Sequence, residues 1–166
     1  TFSFFPPHIV AFVCQNRYTS SIPQPRTGAN NSMTYLERAR DYFAKDAFST
    51  QVMGIQIDDV QDGYAKCSLP VEPRLLNSEG GVMGGALFTL ADFAFAVAAN
   101  LNQPPTVSLS CQVTFLSQPR GSMLYAEATR VRAGHSTCYY SVEVKDEADT
   151  IVAVVGVSGF IKRPQA

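Results

Sequence analysis

The stretch Asn77–Asn100, NSEGGVMGGALFTLADFAFAVAAN, decides the fold of this chain. Two glycine pairs, at positions 80–81 and 84–85, precede a run of good helix formers. The apolar residues of this run recur at helical spacing on more than one side, which is typical of a buried helix. We therefore predict one helix of about five turns from Gly84 to Leu101, with the rest of the chain arranged around it.

The predicted helix carries one ionisable residue, Asp92. An unpaired buried carboxylate is costly, so either a neighbouring group satisfies it or it has a chemical role. The glycines at the start of the helix favour a role, because backbone N–H groups at a helix N-terminus are unpaired and can hold a phosphate or polarise a carbonyl. The Gly-Lys-Ser/Thr of a phosphate loop is absent, which favours a carbonyl.

Length and composition exclude several classes. A chain of 166 residues fits one domain, and a net charge of −1 with scattered charges shows no basic face for nucleic acid. The four cysteines have no metal spacing and there are only two histidines, so we expect no metal site and no Ser-His-Asp triad. We expect a reduced, cytoplasmic protein with no membrane span.

The first 32 residues differ from the remainder in composition. An apolar run interrupted by prolines leads into a stretch rich in Pro, Ser, Asn and Gly. We expect residues 1–32 to be a poorly ordered extension, with Met33 as an alternative start, and residues 33–166 to form the domain.

The domain has the pattern of an α+β fold. Thr34 and Glu37 have the spacing of a capping box for a short helix to about Lys45, and Asp62-Gly63 is a hairpin turn signal. The predicted strands cover residues 53–60, 64–71, 106–117, 123–131, 137–145 and 151–161. The last is almost wholly apolar, which predicts a central strand with both faces covered. One sheet wrapped around one helix follows from this order.

From about Tyr35 to Arg163 the chain resembles the hotdog-fold acyl-CoA thioesterases of the phenylacetic-acid-degradation type. The resemblance rests on Asn77, on Met83-Gly84-Gly85 and on Ala91-Asp92, with Val107-Ser108 downstream. It implies an antiparallel six-stranded sheet around the long helix, and a homodimer or a dimer of dimers with active sites at the dimer interface. It also implies hydrolysis of an acyl-CoA, in which CoA is part of the substrate and no cofactor is needed.

The resemblance assigns roles to individual residues. The Gly84 N–H, helped by Asn77, would polarise the thioester carbonyl. Asp92 of the partner protomer would attack it or activate a water, and Ser108 would hold that water or the carboxylate. Gly84 and Asp92 are eight residues apart, about 12 Å along the helix and about 80° around it, so one chain cannot bring both to one carbonyl.

The remaining candidates are substrate-binding residues. Many relatives have His where this chain has Met83, and Met cannot donate a hydrogen bond. A non-catalytic acyl- or aryl-CoA binding module on the same fold is therefore the alternative, whereas the helix lacks the His/Asp or Glu arrangement of a hotdog dehydratase. The other residues assigned to substrate binding are Gly85, Ser110, Arg132, Gly134, His135 and Ser136.

Overall fold

The computed structural model describes residues 33–101 and 103–162, so the predicted extension over residues 1–32 lies outside the described part of the chain. The described elements follow the predicted order. They are α1 (Tyr35–Phe43), a π-helical segment (Ala47–Val52), β1 (Gln56–Gln61), β2 (Tyr64–Pro70), a 3₁₀ turn (Pro73–Leu75), α2 (Gly84–Asn100), β3 (Thr106–Phe115), β4 (Met123–Ala133), β5 (Thr137–Asp146) and β6 (Ile151–Ile161).

The six strands form one antiparallel sheet in the order β1-β2-β4-β5-β6-β3. Helix α2 packs across its concave face, and its sheet-facing residues are among the most buried in the protein. This confirms the predicted α+β hotdog architecture, a sheet wrapped around one long helix.

Local signals in the sequence explain the short elements. The Thr34 hydroxyl accepts the Glu37 N–H at 3.2 Å and the Glu37 carboxylate accepts the Thr34 N–H at 2.6 Å, which confirms the capping box. Helix α1 then packs on α2 through an edge-to-face contact of Phe43 with Phe93, with ring centroids 5.4 Å apart. Gly63 supplies the positive φ of 73° that the β1–β2 turn needs.

The prediction missed the π-helical segment between α1 and β1. Asp46 begins it, since its carboxylate accepts the backbone N–H and the hydroxyl of Ser49 at 3.1 Å and 3.0 Å. This segment places Asp46 beside the long helix.

Strand β6 lies inside the sheet, between β5 and β3, as predicted. The expectation that both its faces are covered is wrong for one protomer. Its helix-facing residues are buried, but Val154, Gly156 and Ser158 on the other face stay partly exposed.

Candidate active site

Helix α2 has one side that its own protomer leaves open. The partly exposed residues on it recur every three or four positions and share one face of the helix. We call this face the open stripe; it consists of Gly85, Phe88, Thr89, Asp92 and Ala96. It runs from the glycine-rich N-terminus, past the single carboxylate, towards a cleft at the other end.

Asp92 is hydrogen-bonded to the edge of the sheet. The Ser108 hydroxyl on β3 donates to its carboxylate, within the same protomer. Burial raises the pKa of Asp92 above its ordinary value, the hydrogen bond from Ser108 lowers it, and the nearby charge of Asp46 raises it. The net shift is upward, which is the direction that makes a carboxylate a better proton acceptor near neutral pH.

A β-bulge in β3 determines which of its side chains reach Asp92. The register with β6 shifts between Ser108 and Ser110, so that Ser108 lies opposite Gly159 and Ser110 opposite Ser158. Gly159 is buried on the helix side, whereas Ser158 is on the partly exposed side. The structure therefore brings Ser108 to Asp92 and directs Ser110 to the opposite face of the sheet.

The same bulge returns Cys111 to the helix side, because Cys111 lies opposite the buried Val157. Its thiol is half-buried, and its pKa is raised by burial and then by the charge of Asp92. Cys111 was not among the predicted site residues. The alternation of side chains along β3 could not identify it, because the bulge after Ser108 changes which positions point to the helix side of the sheet.

Asn100 fixes the end of α2 against the start of β3. Its side-chain oxygen accepts the Thr106 N–H at 2.8 Å, and its side-chain nitrogen donates to the Thr106 carbonyl at 3.1 Å and to the Ala96 carbonyl at 2.8 Å. This clamp lies only two residues from Ser108, and it holds β3 in the position at which Ser108 meets Asp92. An Asn at the last position of the helix is the one signal in the sequence that could have indicated this clamp.

The N-terminus of α2 carries backbone N–H groups that can act as hydrogen-bond donors. The first two N–H groups of the helix, from Gly84 and Gly85, have no hydrogen-bond partner in the described part of the chain, while the Ala86 N–H bonds to the Met83 carbonyl at 2.9 Å. A Cβ added at Gly84 would meet the Phe115 ring at 2.9 Å, whereas one added at Gly85 would meet nothing within 4 Å. The Gly85 side of this terminus is thus open.

Asn77 shapes the loop before the helix. Its side-chain oxygen accepts the N–H groups of Glu79 at 2.9 Å and of Gly81 at 3.0 Å, and Gly80 takes a positive φ of 76°. The turn-forming role weighed against a catalytic one is therefore real. With the oxygen so occupied, the side-chain nitrogen is the remaining donor of Asn77, which is an exposed residue.

Met83 precedes the helix as its N-cap and makes no side-chain cap hydrogen bond. Its side chain is 58% exposed, beside the unpaired N–H groups. The position at which the family resemblance would place a histidine is therefore occupied by an accessible apolar side chain.

The β4–β5 turn and the end of β4 carry four of the residues assigned to substrate binding. Arg132 is exposed near the end of β4, Gly134 donates its N–H to the Thr137 carbonyl at 2.8 Å, and the Ser136 carbonyl accepts the Ile161 N–H at 2.9 Å. The ring of His135 lies 3.1 Å from the Ser136 hydroxyl. This turn lies at the end of the sheet where β3 begins, away from Gly84.

A cleft of about 410 Å³ opens where the open stripe ends. We call it the α1–β3 cleft, because the end of α1 and the start of β3 form two of its walls. Its lining residues are Tyr42, Phe43, Lys45, Asp46, Ala47, Ala96, Asn100, Pro105, Thr106, Val107 and Lys162.

Residues 33–101 and 103–162 contain neither a metal site nor a membrane-spanning helix. No group of three or more His, Cys, Asp or Glu side chains is arranged to hold a metal ion there. None of the helices in the same ranges has the length and apolar character to cross a membrane.

Comparison with known proteins identifies the family of this chain. Residues 79–153 match the family model of the thioesterase superfamily. A putative esterase of Archaeoglobus fulgidus is 32% identical over 120 residues, covering 72% of this chain and 78% of the relative. The acyl-coenzyme A thioesterase PaaI of Escherichia coli is 31% identical over 119 residues, covering 71% of this chain and 84% of the relative.

The solved structure of Escherichia coli PaaI, from the phenylacetic acid degradation operon, superposes with a TM-score of 0.73 at 25% identity, covering 79% of this chain and 96% of that one. Fold and site thus define a hotdog-fold hydrolase of thioesters. The chain belongs to the thioesterase superfamily, and within it to the PaaI-like type.

Proposed function

We propose that this protein hydrolyses an acyl-CoA thioester to the free acid and CoA, with Asp92 as general base or nucleophile. The observation that carries the proposal is the state of Asp92. It is a half-buried carboxylate with a raised pKa, held by Ser108 on the one open side of a helix whose first N–H groups are unpaired. The similarity to a relative named acyl-coenzyme A thioesterase supports CoA as the leaving group.

The reaction needs an acceptor for the carbonyl oxygen. The Gly84 N–H would donate to this oxygen as negative charge develops on it, and the side-chain nitrogen of Asn77 would be a second donor. A preorganised donor of this kind contributes roughly 3–4 kcal/mol to the transition state. Gly85, with open space on its Cα, lets the thioester approach the helix end.

Asp92 supplies the attack. As general base, it takes a proton from a water whose oxygen bonds to the carbonyl carbon, and the C–S bond then breaks. The CoA thiolate leaves and receives the proton. As nucleophile, the carboxylate itself forms an anhydride that water hydrolyses. Ser108 orients the carboxylate in both routes.

The two parts of the site come from different protomers in this proposal. Along β3, Phe115 contacts Gly84 at one end and Ser108 contacts Asp92 towards the other. Strand β3 is an edge of the sheet and carries exposed Leu109 and Phe115. Antiparallel pairing of two β3 strands about a two-fold axis near Cys111 would bring the Gly84 of one copy beside the Asp92 of the other.

A non-catalytic acyl- or aryl-CoA binding module is the second candidate, and exposed Met83 is the observation that favours it. Thiol release from a panel of acyl-CoAs separates the two. The proposal expects steady thiol release by the wild-type chain and a loss of orders of magnitude in Asp92→Asn, with the fold retained. Saturable binding without turnover would instead support the binding module.

A further inference from the structure

The α1–β3 cleft continues the open stripe beyond the carboxylate. Ala96, one helical turn after Asp92, lies in its lining, and Asn100 follows one turn later. On an α-helix these steps are about 6 Å each along the axis. A group attached to a carbonyl at Asp92 can therefore enter the cleft directly.

The apolar side chains in the walls of the cleft come from separate elements. Phe43 at the end of α1 faces Ala96 on α2, Ala47 comes from the π-helical segment, and Pro105 and Val107 flank the start of β3. Apolar concave walls of this kind bind apolar ligands, with polar groups fixing the orientation.

Three polar residues in the walls, Asn100, Thr106 and Asp46, already have hydrogen-bond partners. Asn100 is paired with Thr106, the Thr106 hydroxyl donates to the Pro104 carbonyl at 3.0 Å, and Asp46 accepts from Ser49. The amides of a pantetheine arm would therefore find few free partners here, because each desolvated amide needs one.

Two lysines lie at the rim of the cleft. Lys45 is exposed and Lys162 half-exposed, and neither forms an ion pair in the described part of the chain. Lysine stems cover apolar surface while their charged ends stay in water. The lysine stems therefore extend the apolar wall at the rim, while their charged ammonium groups stay at the solvent-exposed opening of the cleft.

We propose that the α1–β3 cleft is the acyl pocket of the enzyme and that it selects an apolar acyl group of medium size, with Ala96 and Ala47 setting the limit. The cleft's volume lies near the lower end of the range of about 300–1,000 Å³ that is usual for small-molecule sites, which suits an acyl group and excludes a whole acyl-CoA. The inference rests on the proposed acyl-CoA hydrolysis, and it assigns the acyl arm to the protomer that carries Asp92.

The test uses two substitutions that each reduce the volume of the cleft from a different wall. Ala96→Phe and Ala47→Phe are compared with wild type on acetyl-, hexanoyl-, decanoyl- and phenylacetyl-CoA, and kcat/KM is measured for each. We expect wild type to prefer the larger acyl groups, and each variant to lower the ratio of hexanoyl to acetyl activity by at least about tenfold, since even a methylene of mismatch in an apolar pocket costs that much. Ala148→Phe, in the exposed β5–β6 turn, is the matched control and should keep the wild-type ratio.

Other outcomes overturn the inference. An equal fall for all acyl groups in both variants would mean that the acyl arm lies elsewhere. If Lys45→Ala and Lys162→Ala raise KM equally for all acyl-CoAs, acetyl-CoA included, the cleft holds the CoA arm and its phosphates. If wild type turns over none of the panel, the proposed hydrolysis fails, and dissociation constants for the same ligands decide whether the cleft still selects by acyl size.

Discussion

The Ser108 hydroxyl and the Asp92 carboxylate form a hydrogen bond that joins the buried helix to the edge strand of the sheet. The bond depends on two local features of the backbone. The Asn100 clamp holds the start of β3 on the end of α2, and the bulge after Ser108 turns the next serine away. The carboxylate that we propose as the reacting group is thus positioned by its own protomer, whereas the helix N-terminus that would hold the carbonyl lies too far along α2.

Asp46→Asn and Ser108→Ala should shift the acidic limb of the pH–rate profile in opposite directions. The charge of Asp46 raises the pKa of Asp92, so its removal should lower the apparent pKa of that limb. The Ser108 hydrogen bond lowers the pKa of Asp92, so its removal should raise it. Asn remains a good helix cap at position 46. Shifts of the same sign in kcat/KM profiles of the two variants would show that Asp92 is not the titrating base.

Asp92→Asn should stabilise the fold at neutral pH. The pKa of Asp92 is raised in the folded state, so the folded protein binds more protons than the unfolded chain between about pH 4 and the folded pKa, and stability is lost as pH rises through that range. The advantage of the variant in Tm should therefore grow from acid to neutral pH and be smallest below about pH 4.

Asp146→Asn is the control, because its effect on Tm at neutral pH should have the opposite sign. Backbone N–H groups of Arg120, Thr150 and Ala148 hold the pKa of Asp146 below its ordinary value, so this carboxylate contributes stability that is lost as pH falls through the folded pKa. Its substitution should lower Tm at neutral pH and matter least in acid. If Asp92→Asn lowered Tm at neutral pH as Asp146→Asn is expected to do, the inference that burial raises the pKa of Asp92 would be contradicted.

Gly84→Pro removes the proposed carbonyl donor without breaking a hydrogen bond within the helix, and it adds a contact with Phe115. Proline is well tolerated at the first position of a helix, and the preceding Met83 has the extended backbone, with ψ of 134°, that proline requires. Gly84→Ala is the matched control, because it adds a comparable contact with Phe115 but keeps the N–H. We expect kcat to fall about 10²- to 10³-fold further in the proline variant than in the alanine variant. Equal values of kcat would remove the Gly84 N–H from the mechanism.

Much of this fold can be predicted from short local patterns in the sequence. The helix begins at the predicted Gly84 and ends one residue before the predicted Leu101, and the 151–161 strand has its predicted bounds, because glycines, prolines and long apolar runs mark them. Asp92 and Ser108 could be paired in advance through the family resemblance.

The features that were missed depend on tertiary structure. The bulge that excludes Ser110 and includes Cys111 is a register shift against β6, which no alternation within β3 reveals. The π-helical segment begins at a cap in which the Asp46 carboxylate accepts from Ser49, and this cap was not predicted from the sequence. The turn-forming role of the Asn77 side chain was visible only as an alternative until its two N–H partners were located.

The most direct test of the central claim is a complementation experiment with mixed dimers. One protomer carries Gly84→Pro and the other Asp92→Asn, with different tags so that only the mixed species is purified, and thiol release is measured. If each site combines Gly84 of one copy with Asp92 of the other, the mixed dimer has one intact site in two and should show about half of the wild-type activity, although both parent homodimers are inactive. The reciprocal dimer, one wild-type protomer with one that carries both substitutions, should then be inactive. Activity in the reciprocal dimer and none in the first would contradict the account, because each chain would then build its own site.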